Sequence, residues 1–318
     1  MTYSISVVIP NYNGKNLLAA NLPSIEESLR FANVPFEIII SDDGSTDDSV
    51  EFLKKNYPHI VLIEGAKNLG FSGNINRGLR AAKMDLVFAL NSDIQLEKDY
   101  FVHQFDYFQQ DDCFSVMGAI HDPVTKDVVK LDLDAQQSVF GFISAKKMEN
   151  YHFDRPVPAF FASGSNMLIC GKKLKQLNYF NEVFSPFYGE DADLGLRAWR
   201  MGWSSYYEPK SVCYHQTSST IKKHNSQKKI RAISRRNKMI FHQIHLQSTD
   251  YARFLAKTLI DVFTRFLVFD FGYYKAFWAF LKTLPTLREQ NQKFPLSLPT
   301  QKALELFNDK KNKFLGLS

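Results

Sequence analysis

The chain has 318 residues, 45% of them hydrophobic, which is enough for one large α/β core or a core with an appendage. Its formal charge of +6 suits an anionic partner such as a nucleotide diphosphate, lipid headgroups or nucleic acid. Three distant cysteines, Cys113, Cys170 and Cys213, exclude a disulfide framework or zinc knuckle and fit reduced side chains of a cytosolic protein. Met1 to Ser4 lead directly into an apolar run, so no signal peptide is expected. No uncharged stretch is long enough to span a bilayer, and the expected location is cytoplasmic. No internal repeat or low-complexity tract interrupts the chain.

Ile5 to Ile9 reads as a short strand ended by Pro10, and Asn11 to Gly14 as a turn. Leu17, Leu18, Leu22, Ile25 and Leu29 have helical spacing within 16–30. A second strand, Phe36 to Ile40, breaks at the polar run Ser41 to Ser49, and a helix follows over 50–57. A third strand is expected at Ile60 to Ile63, then a loop over Asn68 to Asn74 and a helix over 75–82. Leu86 to Leu90 is the fourth strand. Strands alternating with helices argue for a mostly parallel sheet covered on both faces, with the loops after the strands converging on one edge.

Beyond it, 97–110 reads as a helix, and Phe114 to Ile120 and Val128 to Leu133 as strands. Ala159 to Ile169 is apolar with an inset Ser163-Gly164-Ser165-Asn166. Glu190 to Met201 is helical, with Trp199 and Trp203 read as packing residues. Ser204 to Tyr207 and Val212 to His215 are strands before a polar loop, Gln216 to Thr220. From 226 the character changes. A basic helix over 230–247 precedes a Phe- and Leu-rich helix over 251–271, where Lys257, Asp261 and Arg265 mark one face and leave a broad apolar face opposite. Aromatic character continues over 276–284, the Pro295 and Pro299 region is irregular, and 302–314 forms a short helix. The division expected is 1–225 for the α/β domain and 226–318 for a helical region.

The pivotal stretch is Leu86 to Ile94, an apolar run that stops at Asn91-Ser92-Asp93. Open α/β sheets bind ligands at the carboxyl ends of their strands, where Asp93 offers hard oxygen chemistry for a divalent cation. The competing reading is an ordinary strand-to-turn exit.

Val7-Val8-Ile9-Pro10-Asn11-Tyr12-Asn13, Asp42-Asp43-Gly44-Ser45-Thr46-Asp47-Asp48-Ser49, Asn68-x-Gly70-Phe71, Asn91-Ser92-Asp93 and Glu190-Asp191-x-Asp193-Leu194 occur in that order. With these motifs the chain resembles family 2 glycosyltransferases of the GT-A fold, particularly bacterial rhamnosyl- and galactosyltransferases of surface polysaccharide synthesis. The likeness covers about residues 3 to 220. It implies a GT-A, Rossmann-like α/β architecture: a mixed, mostly parallel sheet with helices on both faces, plus the helical carboxyl region. The implied activity is metal-dependent, inverting transfer from a UDP- or dTDP-sugar to a glycan or polyprenyl-linked acceptor. The alternative is a non-catalytic scaffold of the same fold that binds a nucleotide sugar or glycan.

Residue chemistry and resemblance assign the same roles. Pro10, Asn11 and Tyr12 wall the nucleobase, and Asp42 accepts from its N–H or from the ribose. Gly44 and Ser45 can cap the next helix at the same time. Asn68, Gly70 and Asn74 form either a donor-binding loop or a plain one, the glycine permitting close approach. Asn91 and Ser92 face the ribose. Asp93 holds Mg²⁺ or Mn²⁺, with His215 either assisting it or serving as an ordinary strand-end histidine. Asp191 is the base that takes the acceptor proton and Glu190 orients the acceptor, although acids in a first helical turn are favourable in any case. Gly164 and Ser165 lie on the acceptor side.

Residues 222–238 contain eight Lys or Arg and no acid. This run and the apolar helix after it fit a membrane surface, their own protein, or a second subunit in a homodimer. Nucleic acid is not expected, since the run lacks a binding motif and interleaved stacking aromatics.

Overall fold

Both faces of the first strand are buried, and this requires helices on both sides of the sheet. Val8 packs with Ile39, Ile75 and Leu79. Its neighbours Val7 and Ile9 point the other way, into Leu18, Leu22, Leu29 and Leu53. That two-residue alternation separates the two main apolar clusters. The computed structural model describes residues 3–317 except 130, 149–150, 152, 216–224 and 292–296, with only the backbone of 288–291. The expected polar loop Gln216 to Thr220, Lys222, Lys223 and Pro295 therefore lie outside the described residues.

The chain runs through β1 (Ile5–Asn11), α1 (Lys15–Ala32), β2 (Phe36–Asp42), α2 (Ser49–Asn56), β3 (Val61–Glu64), α3 (Gly70–Ala81), β4 (Leu86–Leu90) and β5 (Ile94–Leu96). There follow β6 (Cys113–His121), β7 (Asp134–Gln137), β8 (Ile143–Lys146), β9 (Val157–Ala159), β10 (Asn166–Cys170), α4 (Gly171–Gln176), α5 (Glu190–Arg200) and β11 (Ser204–His215). Four helices complete it: α6 (Gln227–His245), α7 (Ser248–Leu267), α8 (Phe271–Asn291) and α9 (Thr300–Leu315). The main sheet has the order β3-β2-β1-β4-β10-β6-β11-β5, with β9 added on β11. The β3-β2-β1-β4 half is parallel. β10 runs antiparallel to β4 and β6, and β11 is parallel to β6. The chain leaves β1 toward β2 and β3 on one side and reaches β4 on the other, so the β1/β4 border is a topological switch point.

Several expected elements take another form. The helix after β3 begins at Gly70, not at Ile75. Asp43, far back in the chain, accepts hydrogen bonds from the Leu69 and Gly70 amides and so satisfies the amino end of this helix from outside. The stretch 97–110 is a series of turns with a 3₁₀ segment at Phe105–Gln109 instead of a helix. Adjacent Tyr100 and Phe101 both bury against Phe88, which winds the backbone tightly. Val128 to Leu133 is not a strand. Val128 makes one bridge to His121, because both edges of β6 are already occupied by β10 and β11. The apolar stretch 159–169 divides between two strands, β9 and β10. Trp199 is fully buried, with its indole N–H bonded to Phe160 O at 3.0 Å, and Trp203 stacks on Phe114.

The carboxyl-terminal helices share a third apolar cluster with the sheet region: Phe160, Phe184, Leu196 and Trp199 pack with Ile240, Phe241, Leu304 and Phe307. His242 on α6 joins this packing to β8. Its Nε2 accepts from the Ile143 amide at 2.9 Å and its Nδ1 lies 2.6 Å from Lys238 O. Those partners suit the neutral ring, and burial pushes its pKa down to about 4. The folded protein thus holds fewer protons here than the unfolded chain, whose imidazole titrates near 6.5. The stability this histidine contributes is present above pH ~6.5 and lost as pH falls toward ~4, by roughly 3 kcal/mol in total. Thermal melts of the protein and of His242→Gln across this window test it: the parent should lose melting temperature more steeply, and parallel slopes would refute the assignment.

Candidate active site

In-register strands bring the motifs together. Asn11 at the end of β1 pairs with Asp42 at the end of β2, so the Pro10–Tyr12 turn and the Asp42–Asp43 turn are neighbours. The β4–β10 pairing sets Leu90 opposite Asn166, and Asn91 N donates to Ser165 O at 3.0 Å. Asn91, Ser92 and Asp93 therefore meet the Ser163–Ser165 turn. The β5–β11 pairing sets Ile94 opposite His215, which carries that ring to Asp93. The result is a cleft of about 1020 Å³ along the carboxyl ends of the strands. Pro10, Asn11, Tyr12, Asn68, Gly70, Asn74, Asn91, Ser92, Asp93, Gly164, Ser165, Glu190, Asp191 and His215 all line it. A second depression of about 640 Å³, around Met84, Cys170 and Trp203 at the other end of the strands, contains none of these.

Asp42 is the exception. It is buried beneath the cleft wall, and its carboxylate is engaged within its own turn. Oδ1 accepts from the Gly44 and Ser45 amides at 3.1 and 2.8 Å, and Oδ2 accepts from Asn11 Nδ2 at 2.8 Å and from Ser45 Oγ. Its neighbour Asp43 lines the cleft instead, paired with Arg77 at 2.9 Å. Asp43 is equally buried, and both of its oxygens are engaged by the Leu69 and Gly70 amides and by Arg77. The two acids thus build the wall of the cleft together, Asp42 from beneath and Asp43 at its surface. Asp47, Tyr188 and Lys229 also line the cleft and were not anticipated.

Gly70 and Gly189 are required by backbone geometry. Gly70 has φ +77°, and a Cβ there would lie 2.9 Å from Pro186 Cα, across the cleft floor. Gly189 has φ +100°, which turns the chain into α5 so that Glu190 and Asp191 occupy its first turn. The preceding loop is held from behind by α6, where Asn237 Nδ2 faces the carbonyls of Phe184, Phe187 and Tyr188 at 2.7, 3.0 and 2.7 Å. One turn into α5, Asp193 is fully buried between Arg197 Nε at 2.8 Å and His245 Nε2 at 2.9 Å.

The two acids that face the cleft differ from ordinary carboxylates. Burial raises the pKa of Glu190, and the negative charge of Asp191 raises it further. Burial also raises Asp191, against backbone hydrogen bonds that oppose the shift. Glu190 Oε2 is buried with no hydrogen-bond partner among the described residues, and two neighbouring buried carboxyls disfavour double ionisation.

Asp93 Oδ1 is buried, and its neighbour among the described residues is His215 Nε2 at 3.1 Å. A carboxylate oxygen and an imidazole nitrogen, side by side and open to the cleft, fit Mg²⁺ or Mn²⁺. Among the described residues no third His, Cys, Asp or Glu joins them. The remaining coordination would come from a diphosphate and water.

Comparison with known proteins agrees with this geometry. Residues 6–177, more than half of the chain, match the Glycosyl transferase family 2, and residues 139–287 match the Glycosyl transferase family group 2. Chondroitin synthase of Escherichia coli is 25% identical over 239 residues, 67% of this chain and 34% of that protein. The chain thus spans about a third of that relative's length. N-acetylglucosaminyl-diphospho-decaprenol L-rhamnosyltransferase of Mycobacterium tuberculosis is 26% identical over 213 residues, 58% of this chain and 68% of that protein. Among solved structures, GalNAc-T7 with UDP, GalNAc and Mn²⁺ has a TM-score of 0.64 at 13% identity, covering 99% of this chain and 58% of that one. TarS 1-349 of S. aureus with UDP has a TM-score of 0.55 at 15% identity, covering 100% and 92%. The fold is GT-A, with added carboxyl-terminal helices. Ordered strand-end motifs, a cleft built from them and the match over residues 6–177 lead to one conclusion: the chain belongs to glycosyl transferase family 2.

Proposed function

We propose that the protein transfers a sugar from a UDP- or dTDP-sugar to a hydroxyl of a glycan or polyprenyl-linked acceptor, with inversion at the anomeric carbon and with a bound Mg²⁺ or Mn²⁺. The observation that carries this reading is the Asp93–His215 pair, 3.1 Å apart, in the cleft that Asp191 also lines. The UDP and Mn²⁺ bound by GalNAc-T7 support the donor and cation classes, and the decaprenol-linked name of the mycobacterial relative supports the acceptor class.

In this reading Pro10, Asn11 and Tyr12 hold the base, Tyr12 through its exposed ring, and the Asp42–Asp43 turn closes the nucleoside end of the cleft, where an acid accepts from the base N–H or the ribose. Asn91 and Ser92 contact the ribose, and Asn68, Gly70 and Asn74 close the donor side. Asp93 and His215 hold the cation, which when bound neutralises charge developing on the leaving diphosphate. The acceptor lies against Gly164 and Ser165. Asp191 takes its proton as the oxygen attacks the anomeric carbon and the bond to the diphosphate breaks, a single displacement that inverts configuration. Glu190 stays protonated and donates to the acceptor.

Asp191→Asn should lower sugar transfer by roughly 10²–10⁴-fold while the donor still raises the melting temperature. Transfer at the parental rate would remove Asp191 as the base. Because burial lifts the Asp191 pKa, the acid limb of the transfer rate should lie above the usual carboxylate range near ~4. In Glu190→Gln, which keeps a donor without an ionisable proton, transfer near neutral pH should survive and any loss at high pH should shrink. A collapse equal to that of Asp191→Asn would give Glu190 a charged role instead. For the cation site, Asp93→Asn should weaken the Mn²⁺-dependent part of UDP-induced thermal stabilisation. If chelation leaves parental stabilisation and nucleotide release unchanged, the site assignment is wrong; if no nucleotide sugar is ever turned over, the scaffold alternative holds.

A further inference from the structure

Helix α7 buries Phe254 and Thr258 against the protein, and along its flank the half-buried Lys257, Asp261 and Arg265 pair with one another. Arg265 and Arg235 also pair with Asp270. The outward face carries Leu255, Leu259, Ile260, Phe263, Phe266 and Leu267, exposed by 40 to 76%. The stripe continues over the α7–α8 turn through Val268, Phe269 and Phe271 and onto Trp278. Phe269 sits at φ +53°, a left-handed conformation unusual for a bulky residue, and its ring is 74% exposed. An apolar surface this continuous is not left to water in a soluble protein.

We propose that this hairpin lies in the interface of an anionic lipid bilayer. Charge decides between a bilayer and a second copy of the chain. The acids of residues 248–287 are Asp250, Asp261 and Asp270, and all three are engaged by cations of the same chain. The exposed Lys275 and Lys282 stand beside the apolar stripe without an acidic partner among the described residues. A second copy of the stripe would bring no unengaged acid to these lysines, whereas anionic headgroups complement them. Trp278 at the edge of the stripe suits the headgroup level. No helix among the described residues is long and apolar enough to cross a membrane, so the hairpin would lie on the surface.

The position matters for the site. Arg235 of α6 is bonded to Asp270 at the hairpin turn, and Lys229, about 9 Å earlier along the same helix, lines the cleft. The hairpin would hold the cleft mouth near the headgroups, where an acceptor carried on a lipid diphosphate presents its hydroxyl. This consequence rests on the glycosyltransferase reading, and the docking itself does not.

The test is co-sedimentation of the full chain with phosphatidylcholine vesicles, with and without phosphatidylglycerol, alongside sizing by light scattering. The parent should bind the anionic vesicles, less so in high salt. The double variant Phe263→Glu, Phe269→Glu should bind roughly tenfold less or weaker still, with an unchanged melting temperature because both rings are exposed. Lys275→Gln and Lys282→Gln should each cost about fivefold on anionic vesicles only. A parent that ignores anionic vesicles overturns the proposal, as does a parental dimer that the phenylalanine variant dissolves without any vesicle binding. Vesicle binding is scored without donor and donor stabilisation without vesicles, so the two readings fail separately.

Discussion

The arrangement depends on one fully buried charge cluster. Asp193 accepts from Arg197 and His245, all at 0% exposure. Arg197 continues to the carbonyls of Leu177 and Tyr179, which ties α5 to the loop before it. His245 ties the same helix to the end of α6. Arg197 and His245 together hold the Asp193 carboxylate below its usual range despite burial, and burial keeps His245 below its own. Such a cluster is costly to assemble and costlier to break, since a lone buried charge is left behind at roughly 3–5 kcal/mol. Its value here is position: Asp191 is two residues from Asp193, so a rigid anchor on the inner side of α5 fixes the acid on the cleft side.

The cleft itself follows from the order of strands. A parallel half-sheet aims the ends of β1, β2 and β4 at one edge, and the switch point between β1 and β4 leaves a crevice there. The antiparallel partners then close it. β10 returns beside β4 and supplies the Ser163–Ser165 turn, and the far end of β11 delivers His215 to Asp93. Two carboxylates, Asp93 and Asp191, reach a common space from elements about a hundred residues apart. One stands near an imidazole, and the other beside a second buried carboxyl. Their electrostatic environments therefore differ.

The carboxyl-terminal helices serve both ends of this construction. Their inner surface completes the third apolar cluster, and α6 clasps the loop that leads into Glu190 through Asn237. Their outer surface is the exposed apolar face of α7. Ion pairs along the flank of that helix satisfy its charges within the chain and leave the apolar side uninterrupted. The inner packing and the outer stripe thus arise from a single helical pattern.

The sequence by itself determined the parallel half-sheet, because buried strands with alternating helices carry strong local periodicity from Ile5 to Leu90. It also determined which polar motifs would gather, since residues at strand ends of such a sheet have one common edge. The amino end of α3 was illegible, because its cap is Asp43 from another turn. So was the division of labour between Asp42 and Asp43, one engaged by the Gly44 and Ser45 amides and the other by those of Leu69 and Gly70. Val128 to Leu133 has strand-like composition, yet both edges of its neighbour β6 were taken by β10 and β11. The periodicity of Lys257, Asp261 and Arg265 marked two faces of a helix, but periodicity is symmetric between inside and outside. Only tertiary packing, which buried Phe254 and Thr258 and offered Asp270 as a partner for Arg265, decided that the broad apolar face would stay exposed.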